Sequence, residues 1–207
     1  LVLIIALFLS FAITSEYEVG DTISENDQYE TFELCSGVNP IDGTEQFSLS
    51  DYNGDLNGGH YYVFFIDMAA SWCAPCFNYI SESVDFAHQD WMIDQSEYNV
   101  IKLTSLADIG QPYSCSQWAS VGSTSENIIV VDNGYPMWNM FNTGGAFPST
   151  VFIDHSMTVY DKGNQVSNFS INLRIQEMLN SCGDLCLAEQ EELPTGDSNY
   201  DGTVDIF

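Results

Sequence analysis

The sequence predicts an α/β fold, a central mixed β-sheet flanked by helices with an N-terminal β extension. Three observations predict it. Tyr61-Tyr62-Val63-Phe64-Phe65-Ile66 is an unbroken β-prone apolar run, the pattern of a strand buried on both faces. Phe77, Ile80, Val84, Ala87 and Trp91 then recur at helical spacing, so a helix packs back onto that strand. Late in the chain, residues 149–154 and 158–161 are two β-prone runs joined by a tight turn, which makes an antiparallel hairpin.

The remaining elements follow in order. Residues 16–57 are polar and turn-rich, punctuated by Val19-Gly20-Asp21, Asn39-Pro40 and Asp42-Gly43, with short strands expected at 30–34 and 46–49. Asp51-Tyr52-Asn53-Gly54-Asp55 reads as a loop. Residues 100–106 and 127–131 read as strands, with short helices at 116–121 and 136–141. Ser170 is placed to cap a last helix whose apolar face carries Ile171, Ile175, Met178 and Leu179. Parallel βαβ units followed by an antiparallel pair make the sheet mixed and put helices on both faces.

With 207 residues, 45% of them hydrophobic, the chain has room for one well-packed domain with short appendages. Thirty acidic residues face only Lys102, Lys162 and Arg174, for a formal net charge of -27. Such a surface repels nucleic acid and anionic headgroups, which excludes both as partners. The acids are scattered along the chain, as solubility in a salty medium requires. The first thirteen residues, LVLIIALFLSFAI, are too short for a membrane span and match a signal-peptide core. Residues 1–15 are therefore expected to be a partial signal peptide, the mature chain to lack a span, and the protein to be extracytoplasmic. The competing reading is a buried N-terminal helix or strand. Six cysteines agree with an oxidising compartment.

Trp72-Cys73-Ala74-Pro75-Cys76 carries the chemistry. It follows a strand and opens a helix, where free backbone N–H groups and the helix dipole stabilise a thiolate. Cys73 is the expected nucleophile. Cys76, one turn further in, resolves the mixed disulfide, and Pro75 suits a first turn. Rival readings fare worse. A purely structural bridge at this spacing is strained. Zinc held by Cys73, Cys76, Cys182 and Cys186 has the ligand count, but CxxxC is an unusual knuckle and Pro75 is unhelpful in the other. A peroxidase needs its cysteine in a P-x-x-x-[ST]-x-x-C setting, and this chain has no such proline upstream of Cys73.

The segment from Ile66 through Cys76 resembles the strand and active site of thioredoxins, most closely the exported TlpA/ResA-like branch. Gly144-Gly145-Ala146-Phe147-Pro148-Ser149-Thr150 resembles that family's second signature, and the likeness covers about residues 45–181 within a domain of 16–186. The resemblance implies a thioredoxin fold and a cis Pro148 facing the cysteine pair. It implies that the Phe147 backbone and Trp72 hold an incoming peptide as a short added strand. It also implies a buried Asp67, six residues before Cys73, that accepts the Cys76 proton. Lys102 sits where many thioredoxins pair a lysine with that acid. The alternative is a strand-end lysine with its ammonium in solvent, and the two readings stay open.

Cys35, Cys115, Cys182 and Cys186 allow three pairings. Structural bridges are favoured, with Cys182 to Cys186 the most local. His60, His88 and His155 read as surface or loop residues without a role. Residues 187–196 read as an acidic linker. The end, residues 197–207, places Asp197, Asn199, Asp201 and Asp205 at EF-hand loop positions 1, 3, 5 and 9, with Gly202 at position 6. It resembles a truncated dockerin-like repeat, which implies calcium and a cohesin-like or cell-surface partner in a longer protein. As it stands the loop is expected to bind calcium weakly or not at all, and chance spacing in an acidic tail is the alternative.

The function expected is extracytoplasmic thiol–disulfide exchange that reduces disulfides in protein substrates without a dissociable redox cofactor. The Ala-Pro dipeptide between the cysteines resembles that of the family's reducing members more than that of its oxidases, which usually carry His there, and the resemblance implies the reducing direction. The alternative is a non-catalytic binding or scaffold unit of a surface-attached protein.

Overall fold

The computed structural model describes residues 15–121 and 127–188. The apolar segment 1–14, the linker from residue 189 on, and the calcium-loop residues Asp197, Asn199, Asp201 and Asp205 lie outside the described residues.

Among the described residues seven strands form one sheet: β1 (Phe32–Ser36), β2 (Gln46–Phe47), β3 (Val63–Ala70), β4 (Val100–Ala107), β5 (Ile128–Val131), β6 (Ser149–Ile153) and β7 (Val159–Gly163). Their spatial order is β2-β1-β5-β4-β3-β6-β7. β3, β4 and β5 run parallel. β6 and β7 return antiparallel on one side, and β1 and β2 extend the sheet antiparallel on the other. The predicted mixed sheet and its N-terminal extension are both present.

All eight residues of β3 and all eight of β4 are buried, because both faces of these strands are covered. Alternation then sorts the core. Phe64, Ile66 and Met68 join Ile101, Leu103, Met137 and Phe141 on one face. Val63 and Phe65 meet Tyr79, Val84, Ala87, Ile171, Ile175 and Met178 on the other. Phe65 stacks on Phe152 with ring centroids 5.3 Å apart. Each such side chain contributes about 1.5–3 kcal/mol of burial.

The helices are short at the start, α1 (Glu25–Gln28) and α2 (Gly54–Asn57). The segment read as a loop at 51–55 is instead helical: a 3₁₀ turn, Leu49–Tyr52, leads into α2. Its carboxylate and amide oxygens serve as caps, Asp51 accepting from the Ser48 N–H at 3.2 Å and Asn53 from the Asp55 N–H at 3.0 Å. α3 (Ala74–Tyr79) runs through a π-helical stretch (Ile80–Val84) into α4 (Asp85–His88) and a second π stretch (Gln89–Asp94). The apolar spacing marks the covered face of this long helix, but spacing alone does not show the two wider turns. α5 (Cys115–Ala119) and α6 (Pro136–Phe141) follow.

The last helix, α7 (Asn168–Cys182), starts earlier than expected. Its cap is Ser167, which accepts from the Ser170 N–H at 3.3 Å; Ser170 is the third helical residue. The polar Asn168 and the 78% exposed Phe169 hide the first turn from a periodicity argument. Ile171, Ile175, Met178 and Leu179 are buried, as their spacing predicts. Among the described residues no helix is long and apolar enough to cross a membrane.

Candidate active site

The site forms where β3 gives way to α3. β3 ends at Ala70, whose carbonyl accepts from the Cys73 N–H at 2.9 Å and turns the chain. Cys73 then occupies the cap position of α3 in extended conformation, with Pro75 in the first turn. Its Sγ accepts from the Cys76 N–H at 3.2 Å and is joined to Cys76 in a disulfide. One amide of the helix's first turn, that of Cys76, therefore points at this sulfur. Cys73 is 2% exposed and Cys76 fully buried.

Phe147 packs against the apolar cluster that contains both cysteines, and the Phe147–Pro148 peptide is cis. The Phe147 ring stands edge-on to Trp72 at 5.7 Å and lies 3.8 Å from Trp138. Asn164 holds this loop from β7's end, its amide donating to the Ala146 carbonyl at 2.8 Å and the Pro148 carbonyl at 2.9 Å. The structure thus brings Trp72, Cys73, Cys76, Phe147 and Pro148 to one end of the sheet.

Two residues absent from the sequence reading complete that end. Asp108, just past β4, accepts from the Trp72 indole N–H at 2.7 Å and from the Tyr135 hydroxyl at 2.6 Å, both on Oδ2. Ser71 donates to the Asp108 carbonyl and, at 2.9 Å, to the Gln111 carbonyl. The available signal was topological, since loops at the carboxyl ends of parallel strands gather at one edge.

Asp67 is fully buried on β3, opposite Thr104 of β4 and Thr150 of β6. It shares a face with Ala69, which packs in the cluster holding Cys76. Neither carboxylate oxygen has a hydrogen-bond partner among the described residues. Burial pushes its pKa up to about 7, against the opposing pull of Lys102.

Lys102 is 2% exposed in the interior strand β4, which rules out the reading with its ammonium in solvent. Its Nζ donates to Asn127 at 2.9 Å and Thr104 at 3.4 Å. Burial lowers its pKa to about 8, while Asp67 and Asp85 act in the opposite direction. His88 is also a correction. It is 3% exposed at the end of α4, and burial, with Lys102 nearby, brings it down to about 4. Its place on α4 faces the sheet, which an isolated histidine in sequence does not reveal.

The other pairings are Cys35 with Cys115 and Cys182 with Cys186. The four sulfurs considered for zinc are therefore two separate bridges, one in the cluster of the site and one at the end of α7. Cys35 and Cys115 pack against the same cluster as Cys73 and Cys76.

No protein-family model matches the chain, and no curated protein matches it. Solved structures do. A secreted thiol-disulfide isomerase from Corynebacterium glutamicum aligns with TM-score 0.53 and 14% identity, covering 81% of this chain and 98% of its own. A secreted Mycobacterium tuberculosis disulfide oxidoreductase, described as homologous to E. coli DsbE, aligns with TM-score 0.52 and 12% identity over 74% and 99%. MTB DsbF, in mixed oxidized and reduced forms, gives TM-score 0.54 and 14% identity over 73% and 96%. The sheet order, the helices on both faces and these alignments agree on one architecture, and the chain has the thioredoxin fold.

Proposed function

We propose that this chain is an extracytoplasmic thiol–disulfide oxidoreductase that reduces disulfides in protein substrates. One observation carries the reading: Cys73 and Cys76 are bonded to each other at the opening of a helix, with Trp72, edge-on to Phe147, preceding them in the chain. In the reduced form the Cys73 thiolate attacks one sulfur of a substrate disulfide. That S–S bond breaks, and the departing substrate sulfur takes up a proton. Cys76 passes its proton to the Asp67 carboxylate and attacks the Cys73 sulfur, which frees the second substrate thiol. Two electrons have moved to the substrate, and the protein ends with its cysteines bonded. A dithiol donor restores it by the same exchange in reverse, so the reaction needs no dissociable cofactor.

Three disulfides among the described residues, and the secreted proteins among the structural neighbours, support an oxidising location. Reduction of insulin by dithiothreitol with catalytic protein tests the reading. Acceleration that disappears in Cys73→Ser supports it, and acceleration that persists in that variant sinks it.

The burial of Cys73 favours a second reading, a binding or scaffold unit with a static bridge. A reduction potential below about -300 mV selects that reading, whereas a higher potential selects exchange.

A further inference from the structure

The three basic residues of the chain are all occupied. Lys102 is buried. Lys162 has a side chain 5% exposed, donates to the Tyr17 carbonyl at 2.9 Å and pairs with Glu18 at 3.4 Å. Arg174 is paired with Asp161 and lies over the Phe152 ring. Among the described residues, then, no lysine or arginine is free at the surface, while the chain carries thirty acids. Any polypeptide approaching the cysteine pair meets a field of one sign.

A cleft of about 320 Å³ runs beside the redox turn, between α3 and the start of α7. Pro75 of the Cys-Ala-Pro-Cys turn lines it together with Asn78, Tyr79, Glu82, Gln165 and Ser167. Glu82 is the one charged residue among its described lining and is exposed. Tyr79 is 5% exposed, and its hydroxyl is turned inward, hydrogen-bonded to Thr150 and the Val166 backbone, so its ring forms part of the wall. Among its described lining residues the cleft therefore offers a carboxylate and amide oxygens, and no cation. These groups suit an ammonium or guanidinium group.

We propose that the preferred substrates are disulfides flanked by basic residues, with a lysine or arginine side chain of the substrate entering this cleft, its charged end against Glu82 and its aliphatic stem along the Tyr79 wall. The inference rests on the exchange reading above and names its substrate class. The reaction is unchanged: the cation is bound, not transformed, while Cys73 attacks the neighbouring disulfide.

Single-turnover reduction by the pre-reduced protein tests it, using two disulfide-linked peptide dimers that differ only in flanking Lys or Glu. Each rate is divided by that of dithiothreitol on the same peptide, which removes the peptides' own difference in reactivity. The normalised rate for the Lys peptide is expected to exceed that for the Glu peptide by about tenfold or more at low salt. The preference should fall to about twofold at 1 M salt. Glu82→Gln should cut the low-salt preference about threefold. Asp184→Asn, the same charge change beyond the far end of α7, should cut it less. A ratio near one, or an equal effect of the two variants, overturns the inference and leaves the acids as a solubility feature. If neither peptide is reduced, the exchange reading itself fails.

Discussion

The Trp72 indole N–H donates to Asp108 Oδ2 at 2.7 Å, across 36 positions of sequence. Trp72 is 54% exposed yet held, because Asp108 is itself fixed by the Tyr135 hydroxyl and by Ser71 on its carbonyl. Its ring stands edge-on to Phe147, so one carboxylate orients the aromatic side chain next to Cys73 in sequence. Asp108 also has φ +54°, a left-handed backbone that aspartate and asparagine tolerate better than alanine.

Asp108→Ala should therefore free the indole and strain the turn together. Expected are a loss of about 2 kcal/mol in unfolding free energy and a five- to tenfold drop in kcat/KM, about the effect of one lost orienting contact, chiefly through KM. The ¹⁹F resonance of fluorotryptophan at position 72 should sharpen towards its free position. Asp108→Asn keeps an acceptor and the backbone preference, so it should recover most of both. Equal damage from the two variants would count against a positioning role.

Asp67 makes stability depend on pH. Its carboxyl is raised by burial from 3.8 to about 7, so between those values the folded protein holds a proton that the unfolded chain has released. Stability from this group is fully present below about pH 4 and lost as pH rises towards 7. Urea unfolding of Asp67→Asn against the parent should show the variant gaining on the order of 3 kcal/mol across that window. A difference that stays constant from pH 4 to 7 would show that Asp67 titrates normally.

Lys102 limits that shift, since its positive charge lowers the pKa of the Asp67 carboxyl. Lys102→Met should move the Asp67 titration to still higher pH, followed directly by the ¹³C shift of its carboxyl carbon. A move to lower pH would mean that the two groups do not face each other electrically.

The two further bridges should differ in strength. Cys35 and Cys115 lie 80 positions apart and restrain a large loop of the unfolded chain, worth about 4.5 kcal/mol in the chain-entropy account. Cys182 and Cys186, four positions apart, restrain a small one, worth about 2 kcal/mol. Paired Cys→Ser variants compared by denaturant midpoint should fall in that order. The reverse order would point to native-state packing as the dominant contribution.

What the sequence determined by itself was local. Strand and helix order, the late hairpin, and a cysteine pair at the opening of a helix each rest on periodicity or on contacts within a turn, so a few adjacent residues suffice to specify them. The 3₁₀ turn before α2, the early start of α7 and the π stretches slipped past because capping and turn width are weaker signals than apolar spacing. The tertiary structure alone decided the rest: which cysteine meets Cys35, where the Lys102 ammonium goes, why His88 is buried, and what holds Trp72. Each is a contact made across the sheet between segments distant in sequence, and its free energy depends on burial and partners that exist only once the chain has closed around them.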